Sequence, residues 1–226
     1  MLAAVIPHAA NEEDLPALEA IRFEVRDGTL FLIATDCYSI GVARCRIPGA
    51  QAAPVPDATA LLPLCVTEGA LLSMLDCADG TAALVFGEDS LTVDTGRDSA
   101  TYGTDGHPEH FPDWRVLIAG LLTGEPAELG DTRGIAPLHL AKFQAGPEDS
   151  PGYCEEGLRV RIVSPTHRKG VPLHAGEREP TVLLARGDWF LGALVPMRLD
   201  RDVAPEPSPW TEWAAATAPA EKAEVA

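Results

Sequence analysis

Three times along this chain, a short apolar stretch with helical spacing is followed by runs of alternating apolar and polar residues, broken by turns rich in Gly and Asp. This repeat constrains the fold more than any single motif does. One helix with a few strands cannot bury its own apolar face, so neighbouring copies must stack and share a core. In the first copy, residues 1–10 predict a short apolar helix that Pro7, lacking an N–H, kinks or ends. Residues 21–26 alternate, Asp27-Gly28 is a hairpin turn, residues 30–34 return, and residues 40–47 form a third strand that stops at Pro48-Gly49.

An Ala/Pro loop leads to the second copy. There Thr67 is the expected N-cap of a helix whose residues Ala70, Leu71, Met74 and Leu75 share one face. Strands are expected at 81–86, 91–94 and 100–102, separated by Gly87-Glu88-Asp89 and Gly96-Arg97-Asp98. The third copy opens with Pro137 at the head of a helix over 137–143. Strands follow at 158–163 and 171–175, and a hairpin at 181–186 and 189–195 turns at Gly187-Asp188. The expected fold class is therefore α+β, made of repeats of one helix packed on antiparallel strands. Residues 120–131, rich in Gly, Pro and Glu, read as a linker. From residue 203 onward Ala, Pro, Glu, Ser and Thr dominate, and this tail is expected to be disordered. Its Trp210 and Trp213 are chance hydrophobes, dock locally onto the protein's own body, or form a short partner-binding motif.

A formal net charge of -17 argues against general affinity for nucleic acid, because binding a polyanion requires Lys and Arg to displace counterions. Any contact with DNA must be local. Five cysteines, odd in number and without a C-x-x-C pair, make a poor disulfide framework and are expected to be reduced and mostly buried. The N-terminus has no basic leader, and no apolar run approaches the roughly 18 residues of a membrane span. The expected location is cytoplasmic.

Catalytic signals are weak. Val93-Asp94-Thr95-Gly96 is similar to the Asp-Thr-Gly motif of aspartic proteases, in which paired aspartates share a proton. It falls, however, where a strand enters a hairpin, and Asp and Gly are expected there anyway. His107 and His110, near Asp105 and Glu109, lack a second ligand pair at metal-binding spacing. No phosphate-cradling glycine loop or nucleophile elbow occurs. Neither an enzyme, a metal site nor a cofactor is expected.

Three stretches carry a family resemblance: Leu30-Phe31-Leu32-Ile33-Ala34-Thr35-Asp36-Cys37-Tyr38-Ser39-Ile40-Gly41-Val42, Phe111-Pro112-Asp113-Trp114-Arg115-Val116-Leu117, and Leu194-Val195-Pro196-Met197-Arg198-Leu199. In this order and at comparable spacing they resemble the beta subunit of bacterial DNA polymerase III, the sliding clamp. The resemblance implies a DNA-clamp-like fold, with residues 1–119 as one complete clamp-like domain and 132–202 as part of another. It also implies a cleft for short peptide motifs of replication proteins such as the polymerase and the clamp loader. By position, Thr35, Cys37, Tyr38, Ile40, Pro112, Arg115, Val195, Pro196, Met197 and Arg198 fall in that cleft; the plainer alternative makes them ordinary strand and interdomain core residues. Where the family carries Gly-His/Tyr-Arg after Thr-Asp, this chain has Cys37-Tyr38-Ser39.

The family's helices line a central hole and present basic residues to DNA. Here the first two helices have no Lys or Arg, and the third offers only Lys142. Lys142, Arg168 and Lys169 are the candidate DNA contacts. Two functions follow from the resemblance: a clamp-like processivity factor or accessory, and a clamp-derived peptide-binding modulator that does not encircle DNA. A partial domain would leave an open sheet edge, so self-association or association with another clamp is expected.

Overall fold

A computed structural model describes residues 1–11, 17–51, 55–76, 81–104, 110–129, 133–144, 157–165, 167–168, 171–172 and 179–198. Lys169, His107, Trp210, Trp213, Cys77, Cys154 and the expected tail lie outside the described residues.

The chain opens with α1 (Leu2–Val5), which tightens into a 3-10 turn at Ile6–His8 where Pro7 falls, as its missing N–H requires. Strands β1 (Ala20–Arg26), β2 (Thr29–Thr35) and β3 (Ser39–Arg46) follow as an antiparallel meander. The stretch expected as an Ala/Pro loop contains a further strand, β4 (Ala58–Pro63), paired with β1 over its whole length. Its Ala-Leu-Leu run is buried on both faces, so the alternation that marks a half-exposed strand is missing. Pro63, rather than Thr67, heads the helical segment α2 (Leu64–Val66), which passes through a π turn at Thr67–Leu71 into α3 (Leu72–Asp76). Thr67 lies inside the helix, and its hydroxyl donates to the Pro63 carbonyl. Strands β5 (Ala83–Phe86), β6 (Ser90–Asp94) and β7 (Ser99–Gly103) form a separate three-stranded sheet.

The motif at 111–117 is mostly helical: α4 (Trp114–Leu122) is capped by Asp113, whose carboxylate accepts the Val116 N–H. The end of α4 and the short strand β8 (Glu125–Pro126) occupy much of the expected linker. After β9 (Arg133–Gly134), Pro137 opens α5 (Pro137–Ala141), and a 3-10 turn, Lys142–Gln144, extends it. Strands β10 (Arg159–Ser164), β11 (His167–Arg168), β12 (Val171–Pro172), β13 (Thr181–Arg186), β14 (Phe190–Leu194) and β15 (Met197–Arg198) complete the described chain. The helix-plus-strands repeat is thus realised as an α+β fold.

One pairing organises the molecule. β14 lies antiparallel beside β3, with Gly192 opposite Gly41, so strands of the first and third copies join in one eight-stranded sheet, β4-β1-β2-β3-β14-β13-β10-β8. Because successive side chains point to opposite faces, this sheet builds two cores. Phe23, Leu32, Ala43, Leu184, Phe190 and Leu194 face α1, Leu71, Phe143, and Leu91 and Val93 of the three-stranded sheet. On the other face Ile33, Ile40, Val42, Leu61, Leu183 and Ala193 are covered by Phe111, Trp114, Ile118 and Leu121.

Candidate peptide-binding site

The turn between β2 and β3 carries the first candidate cluster. Asp36 organises it: its Oδ1 accepts the backbone N–H groups of Tyr38 (3.0 Å) and Ser39 (2.6 Å) and the Ser39 hydroxyl (3.0 Å). Thr35 closes the turn from the other side, its hydroxyl donating to the Ser39 carbonyl at 2.8 Å. The geometry forces Cys37 into the left-handed region at φ 73, where the family's glycine would sit without strain. Cys37 and Tyr38 are consequently held out from the sheet.

The other carboxylate oxygen of Asp36 binds the Lys142 ammonium and lies 4.0 Å from His139 Nδ1, tying the first repeat to the third. Lys142 is therefore engaged by a carboxylate of the protein itself, its side chain 17% exposed. Burial raises the Asp36 carboxyl, but the Lys142 and Ser39 hydrogen bonds and the Lys142 charge outweigh it and hold the pKa below the ordinary value. Beneath the turn, His8 is fully buried, with Nδ1 3.1 Å from the Ser39 hydroxyl and its ring against Phe143. Desolvation, assisted by the Lys142 charge and opposed by Asp36, pushes its pKa down to about 3, so the ring is neutral.

The third motif meets this turn directly. The Val195 N–H donates to the Tyr38 carbonyl at 2.9 Å, continuing the β3–β14 pairing past the ends of both strands. Tyr38, Val195 and Met197 are 57%, 43% and 49% exposed, large apolar side chains left in solvent. The Tyr38 ring lies 5.4 Å from that of His139. Pro196, Ile40 and Thr35 are buried beneath the surface they shape. β15 is held by β9, with Met197 opposite Gly134 and Arg198 opposite Arg133.

The second motif is divided. Trp114 and Phe111 join Ile40 of the first motif in the core under α4, while Leu194 of the third packs on the opposite face of the sheet. Arg115 turns to the far end of β2. Its Nη2 and Nε bind Glu24 Oε1 at 2.7 and 3.0 Å, and its guanidinium lies over the rings of Trp114 (4.3 Å) and Phe31 (4.6 Å). Glu24 Oε2 accepts from Trp114 Nε1 and Arg22 Nε. Desolvation raises the Glu24 carboxyl, yet its bonds to Arg115 and Trp114 and the two arginine charges leave it below its ordinary value. Phe31 and Thr35 are four residues apart on β2, about 13 Å at strand rise, so Arg115 borders a separate open depression with Arg22, Thr59 and Phe111. Pro112 is exposed at the start of this segment. Sequence inspection missed Glu24, which alternates with Phe23 and Val25 like any outward strand residue; nothing in the pattern marks it as the acceptor for α4.

Asp94 Oδ1 accepts the Gly96 N–H at 2.7 Å, closing the β6–β7 turn. Among the described residues, no group of His, Cys, Asp and Glu could hold a metal ion, and no helix is long and apolar enough to cross a membrane. The described cysteines, Cys37, Cys45 and Cys65, are unpaired and exposed, correcting the expectation of buried thiols; each lies at a turn, a strand end or a helix start, where the thiol faces outward. Arg168 lies in β11, paired with Val171.

This arrangement, helices packed between antiparallel sheets that join edge to edge, is a DNA-clamp fold. More particularly it is the fold of the bacterial polymerase III beta subunit. The beta subunit from DNA polymerase of Streptococcus pyogenes matches with a TM-score of 0.55 at 12% identity, over 87% of this chain and 62% of that one. The DNA polymerase III subunit beta of Pseudomonas aeruginosa matches with a TM-score of 0.54 at 14% identity, over 87% and 64%. The sliding clamp of Bacillus subtilis gives 0.53 at 12% identity, over 87% and 61%. The chain matches no family model and no curated protein. It spans a little over three fifths of the length of these solved clamps, and at such identities the likeness is one of fold.

Proposed function

We propose that this protein is a clamp-fold peptide-docking module that receives short motifs of replication proteins on the surface of Tyr38, Val195 and Met197. The observation that carries this reading is the Tyr38–Val195 backbone hydrogen bond, which sets two distant segments side by side and leaves their apolar side chains in solvent. A flexible Met and an aromatic ring suit inserted Leu and Phe side chains. A peptide rich in Gln, Leu and Phe, titrated against the full chain, is expected to bind. Met197→Ala and Tyr38→Ala should each weaken it by about tenfold, the factor that 1.4 kcal/mol gives. Absence of binding to the wild type overturns the reading.

Between the two roles open to such a module, the engagement of Lys142 by Asp36 favours one that does not encircle DNA. With it, the helical segments α1 to α5 offer no uncommitted Lys among the described residues, against a formal charge of -17. A processivity factor remains the second reading, supported by the clamp fold. Retention of the protein on circular but not linearised DNA would favour it over the modulator.

A further inference from the structure

The eight-stranded sheet sorts its charges by face. Its strands carry seven arginines and two glutamates, in a chain where Asp and Glu outnumber Lys and Arg by 34 to 17. Because side chains alternate between faces, the registers assign each one. Arg22 is paired with Ile33, and Arg44 follows Val42 by two residues; Ile33 and Val42 belong to the core under α4. Arg26 and Arg46 are both paired with Thr29 and share that face, as do Arg159 and Arg161, which alternate with Val163. Of the sheet's arginines only Arg186 points the other way, where it is buried and donates to the Phe143 carbonyl.

Three of these side chains form a strip across one end of β1, β2 and β3. Arg26, Arg44 and Arg46 are all exposed. Arg44 and Arg46 stand about 6.8 Å apart along β3, and Arg46 and Arg26 about 10 Å apart across Thr29. Arg44 Nε donates to the Asp188 carbonyl at 2.7 Å in an exposed setting. The neighbouring carboxylates stand in turns. Asp27 lies 4.0 Å from Arg26 Nε but its side chain is 94% exposed, which makes the pair weak, and Asp57 accepts the Asp27 N–H at 3.2 Å. Beside the strip, the sheet already shows what such guanidinium groups hold: the Glu24 carboxylate takes Arg115 on one oxygen and Arg22 on the other, at 2.7–3.0 Å.

We propose that the strip of Arg26, Arg44 and Arg46 docks an extended acidic segment of a protein partner, each guanidinium taking a carboxylate as Arg22 and Arg115 take Glu24. In an extended peptide, side chains two residues apart point the same way at about 6.8 Å, which is the separation of Arg44 and Arg46. The planar fork of arginine matches a carboxylate bidentately. A peptide is favoured over nucleic acid because the strip is short and the chain around it is acidic. A nucleic-acid strand carries a charge at every nucleotide and would run onto that acidic surface, whereas a peptide bears its carboxylates only where the strip lies. At physiological ionic strength the Debye length of about 8 Å confines the repulsion from more distant carboxylates. The strip sits at the opposite end of β2 from the Tyr38 turn, since Thr29 and Thr35 are six residues, about 20 Å, apart.

This inference rests on the arginine strip and not on the apolar docking surface, so either can fail alone. The test is fluorescence anisotropy of a labelled peptide of alternating Glu and Ser, titrated with the full chain, beside a control peptide with Gln in place of Glu. Wild type should bind the acidic peptide and not the neutral one. Affinity should fall as added salt shortens the Debye length from about 8 Å near physiological strength to about 3 Å at 1 M. Arg44→Glu combined with Arg46→Glu should weaken binding by about tenfold or more. Arg26→Gln combined with Arg46→Gln leaves the Arg44–Asp188 bond in place, and should weaken binding while keeping the wild-type unfolding midpoint. Neither variant should change the titration with the peptide rich in Gln, Leu and Phe. No binding of the acidic peptide, equal binding of the neutral one, or binding indifferent to both variants overturns the proposal. So does an oligothymidylate of equal charge that binds more tightly than the peptide and is lost in the same variants, which would make the strip a nucleic-acid contact.

Discussion

Gly41 of β3 lies directly against the imidazole of His8: a Cβ built on Gly41 would come within 3.0 Å of the ring's Cγ and Nε2, and closer still to Cδ2. The ring cannot retreat, because it is fully buried between the sheet and Phe143. Gly192, opposite Gly41 on β14, stands in the same relation to Phe143 and to the Ile40 carbonyl. Gly41→Ala and Gly192→Ala should each lower unfolding free energy by about 1–3 kcal/mol, the usual cost of overpacking. Gly157→Ala, which meets nothing within 4 Å, should be nearly neutral. Chemical denaturation of the three variants checks the ordering.

Acid should weaken the fold well above the carboxylate range. His8 has a folded pKa of about 3 against an ordinary 6.5, so below 6.5 the unfolded chain takes up a proton that the folded chain refuses. Stability should then fall by about 1.4 kcal/mol per pH unit between these values. The depressed carboxyls of Asp36 and Glu24 act in the same direction, but only from the ordinary carboxylate range downward, their contribution being present above it. His8→Phe should flatten the profile between about pH 6.5 and 5 and leave the steeper acid limb. Urea midpoints measured across pH read both limbs.

The Lys142–Asp36 pair should behave as a structural tie between repeats. Lys142→Met leaves a largely buried carboxylate without its cation and should cost about 1–3 kcal/mol. With Asp36→Asn the double substitution should cost less than the sum of the singles, as groups in contact do. DNA retention, where measurable, should change no more than the charge difference at the surface would produce.

Arg115 should resist replacement by lysine. Its fork meets Glu24 while its plane covers Trp114 and Phe31, and an ammonium reproduces neither relation. Arg115→Lys and Arg115→Ala should both destabilise the protein, by about 1–2 kcal/mol because the guanidinium is one-third exposed. Peptide affinity per folded molecule should move less than in Met197→Ala. The reverse ordering in a binding titration would return Arg115 to the docking surface.

How much of this was legible in the sequence depends on how locally each feature is encoded. The hairpins at Asp27-Gly28 and Gly187-Asp188 were visible, because left-handed turn positions demand Gly and neighbours such as Asp. Strand β4 was not, because residues buried on both faces lose their alternation. The helical character of residues 114–122 was hidden by the motif's family resemblance, although Asp113 is an ordinary N-cap. Among site residues, Tyr38, Val195 and Met197 were identified by likeness alone; their exposure and their shared hydrogen bond depend on β3 meeting β14. The pairing of Lys142 was hidden for the same reason, since its partner Asp36 lies 106 residues earlier in the chain. The Glu24–Arg115 pair, 91 residues apart, left no periodic trace.

That meeting of strands also sets a timetable. The bond from Arg44 to the Asp188 carbonyl spans 144 residues, and the whole β3–β14 ladder is comparably long-range. On a ribosome, β3 is made early but has no neighbour on its outer side until residues 190–194 have left the exit tunnel. At about 5–20 residues per second, that is an interval on the order of ten seconds. Throughout it the nascent chain carries a bare sheet edge. The emergence of β14 therefore ends this exposure to misassembly, and slowing its synthesis should raise aggregation without altering a single contact of the finished protein.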